Sequence, residues 1–259
     1  MALLLGSDGG ASAEGFRIGG TGAALGTMQL LANAFRVRNP DILVTVLPSL
    51  GSGGGIKAAT EGVLGIGVSS RPLKQSERKR GAAELEYART PFVFAVSVES
   101  GVTSLTTAEL ADIYAGRMAG WPDGSPVRVL LRPVSDIDTE MIMSMSPALR
   151  QGMLAAQARP GVRVSVNDQD AANDLEKIAG AIGPSTLALL LSESRPLRAL
   201  KLDGVEPTAA NAASGAYPYY KRLFIVTGPK RTAAVERFIA FVQSPAGQKI
   251  LTSNGQWIP

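Results

Sequence analysis

The sequence contains no cysteine and no histidine. Without cysteine there is no disulfide, no thiolate nucleophile and no Cys-borne lipid anchor. Without histidine the commonest general base and the commonest transition-metal ligand are both missing. Ser-His-Asp triads, Cys-His dyads and ordinary zinc sites are excluded, and no metal or cofactor is expected. Catalysis, if any, would have to run on Ser-Lys or carboxylate chemistry. Aromatic residues make up only 5% of the chain, which argues against a base-stacking surface. Charge of one sign is scarce too: 26 Lys and Arg stand against 22 Asp and Glu, a net charge of +4. The one short basic cluster, Arg78-Lys79-Arg80, reads as a solvated helix face, so no nucleic-acid partner is expected. No apolar run approaches the ~20 residues a membrane-crossing helix needs.

What is present is an ordinary globular composition, 45% apolar and 19% charged over 259 residues. That length suits one large or two modest domains. Residues 1–15 stand apart. Met1 to Leu5 is apolar but short and lacks a basic flank, and Ala11-Ser12-Ala13 fits a small-x-small cleavage site. The segment reads either as the remnant of a truncated or mis-started secretory signal or as a disordered leader. Folded sequence is expected from Glu14 or Phe16.

From there strands and helices alternate. Phe16 to Ile18 reads as a strand ending at Gly19-Gly20, and a helix follows from Thr21 with Leu25, Met28, Ala32 and Phe35 on one face. Ile42 to Leu47 is a buried strand running into Gly51-Ser52-Gly53-Gly54-Gly55, with a short helix expected over residues 56–61. Val63 to Val68 is the next strand, ending at Ser69-Ser70-Arg71-Pro72. Further strands are expected at residues 90–96, 127–131, 181–183 and 223–226. Helices are expected from Thr107, over 139–146, 147–158 and 168–179, and through Val235, Phe238, Ile239 and Val242. The alternation predicts an α/β fold with a parallel sheet.

Three strands thus run into Gly/Ser turns. Each turn offers backbone N–H groups at the positive end of a helix, and each adds a hydroxyl: Thr21, Ser52, and Ser69 or Ser70. Glycine lets backbone approach a ligand closely, as at Gly22 and Gly53. Arg132, ending the strand at 127–131, offers a forked cationic donor suited to an oxyanion and is expected to be the only cationic contact. Asp136 and Asp138 read most simply as helix N-caps. The Gly-rich segment is not a nucleotide-binding P-loop, because the spacing to Lys57 is wrong and Ala58 stands where Ser or Thr is needed.

Ile18-Gly19-Gly20-Thr21-Gly22, Gly51 to Lys57, Ser69 to Leu73, and Ser244-Pro245-Ala246-Gly247-Gln248-Lys249-Ile250-Leu251 together resemble the phosphate-binding proteins of bacterial ABC importers. The resemblance covers essentially the whole chain from Phe16. It implies a two-lobed type II periplasmic-binding-protein fold with two hinge strands and an oxyanion in the cleft. The first lobe would comprise 16–90 plus 217–259 and the second, inserted lobe 91–216, with hinges near Pro91 and Tyr217. Carried onto this chain, the ligand contacts would come from Thr21, Gly22, Ser52, Gly53, and Ser69 or Ser70. Across the cleft they would come from Arg132, Ser135 and Thr139. The family's third turn usually ends in an acid, where Ser70 stands here. Asp136 or Asp138 is the candidate proton acceptor in its place.

The function this implies is capture of a small oxyanion, phosphate first, by a periplasmic or secreted monomer that delivers it to ABC permease subunits. No catalysis is implied. Molybdate, tungstate or sulfate as ligand, a sensor of the same fold without a transporter, and a His-free hydrolase or transferase acting on phosphorylated substrates are the rival readings.

Overall fold

The computed structural model describes residues 14–259; residues 1–13 of the expected leader, 1–15, lie outside them, whereas its last two, Glu14 and Gly15, belong to the first strand. β1 (Glu14–Gly20) runs into α1 (Gly22–Arg38), β2 (Ile42–Val46) into α2 (Gly51–Thr60), and β3 (Ile66–Ser69) toward the short α3 (Gln75–Lys79). β4 (Ala83–Ser97) then leads away into β5 (Ser104–Leu105), α4 (Thr107–Ala115), β6 (Arg128–Leu131), α5 (Ile137–Met145), α6 (Pro147–Ala158), β7 (Arg163–Val164) and α7 (Asp168–Lys177). After β8 (Ala181–Thr186), α8 (Leu187–Ser192), β9 (Leu197–Ala199), β10 (Lys201–Leu202) and α9 (Ala209–Ser214), β11 (Tyr220–Thr227) brings the chain back to α10 (Ala233–Gln243) and α11 (Pro245–Ser253).

The main sheet has the order β2-β1-β3-β11-β4-β8-β6-β7, with β9 also on β4, and β5 pairs separately with β10. β1 is parallel to β2 and β3, and β6 is parallel to β7 and β8. The sheet is nevertheless mixed, where alternation alone predicts a parallel one. β11 lies antiparallel to both β3 and β4, and β4 antiparallel to β8 and β9. The reason is that one strand leaves the first half of the molecule and another returns beside it, which sets them in opposite directions.

β4 changes partner along its length. Ala83 to Pro91 pairs with β11, and Phe92 to Ala95 pairs with β8. The changeover falls at Pro91, which has no N–H to give a ladder. The core divides at the same place. Phe16, Ile18, Met28, Phe35, Ile66, Leu223 and Phe238 form one cluster, with Phe238 packed edge-on against Phe16 and Phe35 at 5.6 and 5.3 Å. Beyond Pro91 the alternation of β4 feeds two clusters. Phe92, Phe94 and Val96 pack with Leu110, Tyr114, Trp121 and Tyr217, whereas Val93 and Ala95 pack on the other face with Leu130, Leu175 and Leu189. Both faces of this second half of the strand are covered, so Phe92 to Val96 is apolar throughout.

The two halves meet again beside β4 and β11. Thr90 Oγ1 donates to the Gly255 carbonyl at 3.1 Å and accepts the Ala188 amide at 3.0 Å. The Tyr217 hydroxyl donates to the Phe92 carbonyl at 2.8 Å. Among the described residues no helix is long and apolar enough to cross a membrane.

Candidate functional site

The three strand ends of the first half converge. Ser52 Oγ lies 3.1 Å from Ser70 Oγ and accepts the Ser70 amide at 3.0 Å, and Thr21 Oγ1 donates to Ser70 Oγ at 3.4 Å. Thr21 and Ser70 are buried, and Ser52 is half-buried. Neither α1 nor α2 has a side-chain cap. Elsewhere Thr106, Asp136, Ser146, Asn167, Thr208, Thr232 and Ser244 each accept a first-turn amide of the helix they precede. The two helices that open beside the hydroxyl cluster thus turn their positive ends to it without an N-cap side chain, although the Gly51 amide donates to Ser49 Oγ at 3.4 Å.

The sequence predicts a glycine turn before a helix over 56–61, whereas α2 begins at Gly51 and includes Ser52 in its first turn. Four glycines have poor helix propensity, and packing overrides it. A Cβ on Gly55 would lie 2.6 Å from Gly20 Cα and 2.8 Å from the Gly19 carbonyl oxygen. The helix can therefore lie directly on β1, which carries Ser52 to the end of β3.

Facing this cluster, β6 ends in Arg132, which is buried. Its Nη1 donates to the Ser165 carbonyl and its Nη2 to Asp136 Oδ2, both at 2.9 Å. Its Nε has no hydrogen-bond partner among the described residues and lies 3.7 Å from Asp138 Oδ2. Lys221, from β11, is buried against the same group. Its Nζ contacts Asp138 Oδ1 and lies 3.7 Å from Asp168 Oδ1, while Asp168 Oδ2 lies 3.9 Å from Arg132 Nη2. Three carboxylates here face two cations. Burial pushes the Asp138 carboxyl up to about 6 against the pull of Lys221, with Asp168 and Asp136 adding to the rise. Burial pulls Lys221 down, but Asp138 and Asp168 more than offset it and hold its ammonium above the ordinary lysine value.

Between the two faces lies a cleft of about 590 Å³. Of the residues singled out from sequence, Thr21, Ser52, Gly53, Ser70, Arg132, Ser135 and Asp136 line it. Gly22, Ser69, Thr139 and Asp138 do not, for separate reasons. Gly22 is pressed against Asp168 and Gln169 across the gap, and its carbonyl accepts Gln169 Nε2 at 3.0 Å. Ser69 Oγ is turned onto its own loop, donating to the Arg71 carbonyl at 2.7 Å, which leaves Ser70 as the hydroxyl of the third turn. Thr139 Oγ1 donates to the Pro133 carbonyl at 3.0 Å and braces the loop after Arg132. Asp138 is sealed at 1% exposure beneath Lys221. It is not an N-cap: α5 starts at Ile137, and Asp136 caps it by accepting the Asp138 amide at 2.9 Å.

Arg132 is also not the only cation. Lys221, Arg71 and Lys74 line the cleft as well, as do Asn167 and Asp168. Lys221 carries a signal that sequence reading can use: it stands two residues before Leu223 on β11, where strand alternation puts it on the same face as that buried leucine, with Arg222 on the exposed one. Asp168 reads only as a helix opener until α7 is seen to point at α1. Among the described residues no group of three or more acidic side chains is arranged to hold a metal ion.

Two α/β lobes joined by two strands, with a polar cleft between them, define a two-lobed binding protein of the type II periplasmic class. The chain belongs to the PBP superfamily, whose domain profile matches residues 6–246. Similar curated proteins include the phosphate-binding protein PstS of Bacillus subtilis, 26% identical over 252 residues covering 93% of this chain and 79% of the relative. Protein SphX of Synechococcus elongatus is 29% identical over 245 residues, 85% and 70% of the respective chains. Among solved structures, a phosphate-transporter-type substrate-binding protein from Clostridium perfringens with bound phosphate is 25% identical, with a TM-score of 0.78 over 95% of this chain and 100% of that one. The periplasmic molybdate-binding protein of Azotobacter vinelandii shares the fold at 16% identity and a TM-score of 0.68, over 94% and 99%.

Proposed function

We propose that the chain is an extracytoplasmic solute-binding protein that captures a small oxyanion, phosphate before sulfate, molybdate or tungstate, and presents it to the permease of an ABC importer. The observation that carries this is the convergence of Thr21, Ser52 and Ser70 at two uncapped helix ends, opposite Arg132. Hydroxyls and amides at a positive helix end bind anions without needing to transfer a proton, and Arg132 supplies the opposite face of the clamp. The named functions of the Bacillus subtilis and Clostridium perfringens relatives support phosphate as the ligand. The protein works as a binder and not as an enzyme, outside the cytoplasm, as a monomer.

In this reading the first lobe is 16–90 with 217–259 and the second is 91–216. Pro91 and Tyr217 mark the two crossings, and ligand draws the lobes together. Gly22 and Thr139 contribute by fitting the lobes and bracing the Arg132 loop. The test is a thermal-shift panel of phosphate, sulfate, molybdate, tungstate and phosphonates. An anion present at 100 times its Kd stabilises by ~2.7 kcal/mol. A shift by phosphate at the lowest concentration is expected. No shift with any anion, or turnover of a phosphoester, would refute the assignment.

A further inference from the structure

Four cations line the cleft, and they are not equivalent. Arg71 donates to both Glu77 oxygens, at 2.9 and 2.7 Å, and to the Pro72 carbonyl at 2.9 Å. Lys74 is exposed. Lys221 is buried with its ammonium turned to carboxylates. Arg132 is the buried cation with free donors. Two of them go to the Ser165 carbonyl and Asp136, and Nε has no hydrogen-bond partner among the described residues.

Two carboxylates stand just short of those free donors. Asp138 Oδ2 lies 3.7 Å from Arg132 Nε, and Asp168 Oδ2 lies 3.9 Å from Nη2. Charge-assisted bonds form at about 2.7–2.9 Å, so a shift of roughly 1 Å would close both. The other oxygen of each carboxylate explains why they stay back. Asp138 Oδ1 contacts Lys221 Nζ, and Asp168 Oδ1 lies 3.7 Å from it. Each carboxylate thus turns one oxygen to Arg132 and the other to Lys221. The fold sets this up: Lys221 stands on β11 opposite Thr90 of β4, with its ammonium 5.6 Å from the centre of the Phe92 ring, and reaches both carboxylates from the returning strand. With Asp136, three carboxylates surround two cations, and in a buried site such an excess competes with any incoming anion for the guanidinium.

We propose that Lys221 is a positioning residue for anion capture: it holds Asp138 and Asp168 back from Arg132 and so keeps the guanidinium open to the ligand, without touching the ligand itself. Asp138 is in this account the counter-ion of Lys221. In the lobe division above, Lys221 belongs to the first lobe and both carboxylates to the second, so the hold crosses between them. This rests on the oxyanion reading above.

The test is calorimetry of the full chain with phosphate. Lys221→Met leaves both carboxylates to bond Arg132 and is expected to weaken phosphate binding at least ~10-fold; a smaller loss overturns the proposal. Repeated in an Arg132→Gln background, the loss is expected to shrink at least ~5-fold, because no guanidinium is left to capture. A loss that does not shrink marks a direct contact or a general structural role, and overturns the proposal. Adding Asp138→Asn to Lys221→Met removes the nearer competitor and is expected to recover at least ~3-fold in affinity; no recovery counts against the proposal in the same way. If Lys221→Met does not fold, the double variant decides, since it removes a buried pair together: phosphate binding within ~10-fold of wild type is expected, and a greater loss overturns the proposal. A wild type that binds no oxyanion overturns the oxyanion reading as well, whereas undiminished affinity in Lys221→Met overturns this proposal alone.

Discussion

Replacing Gly22 with alanine separates folding from closure. Gly22 opens α1, where alanine is well tolerated, and removing a glycine from a compatible position stabilises by ~0.4–1 kcal/mol through the unfolded chain. Across the cleft the added Cβ lands 2.7 Å from Asp168 Cβ and Oδ2, and against Gln169 Oε1. Ordinary carbon contacts need about 3.5 Å or more, so α7 must retreat by nearly 1 Å. Asp168 Cβ is fixed to its backbone and cannot rotate aside, so the second lobe moves as a body and takes Arg132 with it. A charge-assisted hydrogen bond stretched out of range loses ~1.5–3 kcal/mol, or roughly 10- to 150-fold in affinity. Gly22→Ala is thus expected to raise the urea midpoint slightly, weaken phosphate binding at least ~10-fold by calorimetry, and blunt compaction on scattering. Gly26→Ala is the internal control. Its Cβ meets Ser192 Oγ and Glu193 Cγ, which can swing away, so its effect on binding should be several-fold smaller. A Gly22→Ala protein that binds and compacts like wild type would refute the steric account.

Ser52→Ala removes the acceptor of the Ser70 amide together with one of the hydroxyls proposed to hold the anion. Calorimetry should show phosphate binding weakened by ~10-fold or more, and an unchanged Kd would remove Ser52 from the site. Arg132→Lys loses the fork that spans the Ser165 carbonyl and Asp136, and is expected to weaken phosphate binding at least ~10-fold and to lower the melting temperature. Stability should also respond to pH through Asp138. Its folded pKa of about 6 exceeds the ordinary 3.8, so between these values the folded chain binds the extra proton and its contribution grows as pH falls, by ~3 kcal/mol in full. Glu77, lowered to about 2 first by its hydrogen bond to Arg71, withdraws its contribution only below about 4.5. The ligand-free melting temperature at pH 5 is therefore expected to equal or exceed that at pH 7, and a steady fall from pH 7 that Asp138→Asn leaves unaltered would contradict this.

The first-lobe half of the site was legible because its information is local. A strand, a small polar turn and a helix follow one another at Thr21, and the run Gly51 to Gly55 announces close backbone approach even though it hides the helix that begins there. Ser69 and Ser70 cannot be told apart by sequence, since which hydroxyl turns inward depends on the bond to the Arg71 carbonyl. The second half depended on contacts between distant segments. Lys221 meets Asp138 and Asp168 only because β11 returns to the sheet, and no local pattern encodes that meeting. The caps behaved in the same way. Thr106 forms a capping box with Glu109 that sequence spacing anticipates to within one residue, whereas the absence of caps on α1 and α2 becomes meaningful only when both helices open toward one cluster.

The place of β11 in the sheet sets an order of events during synthesis. β11 lies between β3 and β4, yet roughly 120 residues separate the end of β4 from its start. Until residues 220–227 emerge, β3 and the first half of β4 have no neighbour on their facing sides, and Leu223, Phe238 and Val242 are not yet there to fill the core around Phe35. Closing a loop of that length costs about 4 kcal/mol in chain entropy. The lobe that begins the polypeptide is consequently the last to be completed. Everything between β4 and β11 can collapse on its own core first, while the segment carrying Thr21, Ser52 and Ser70 waits, unfinished, for the far end of the chain to arrive.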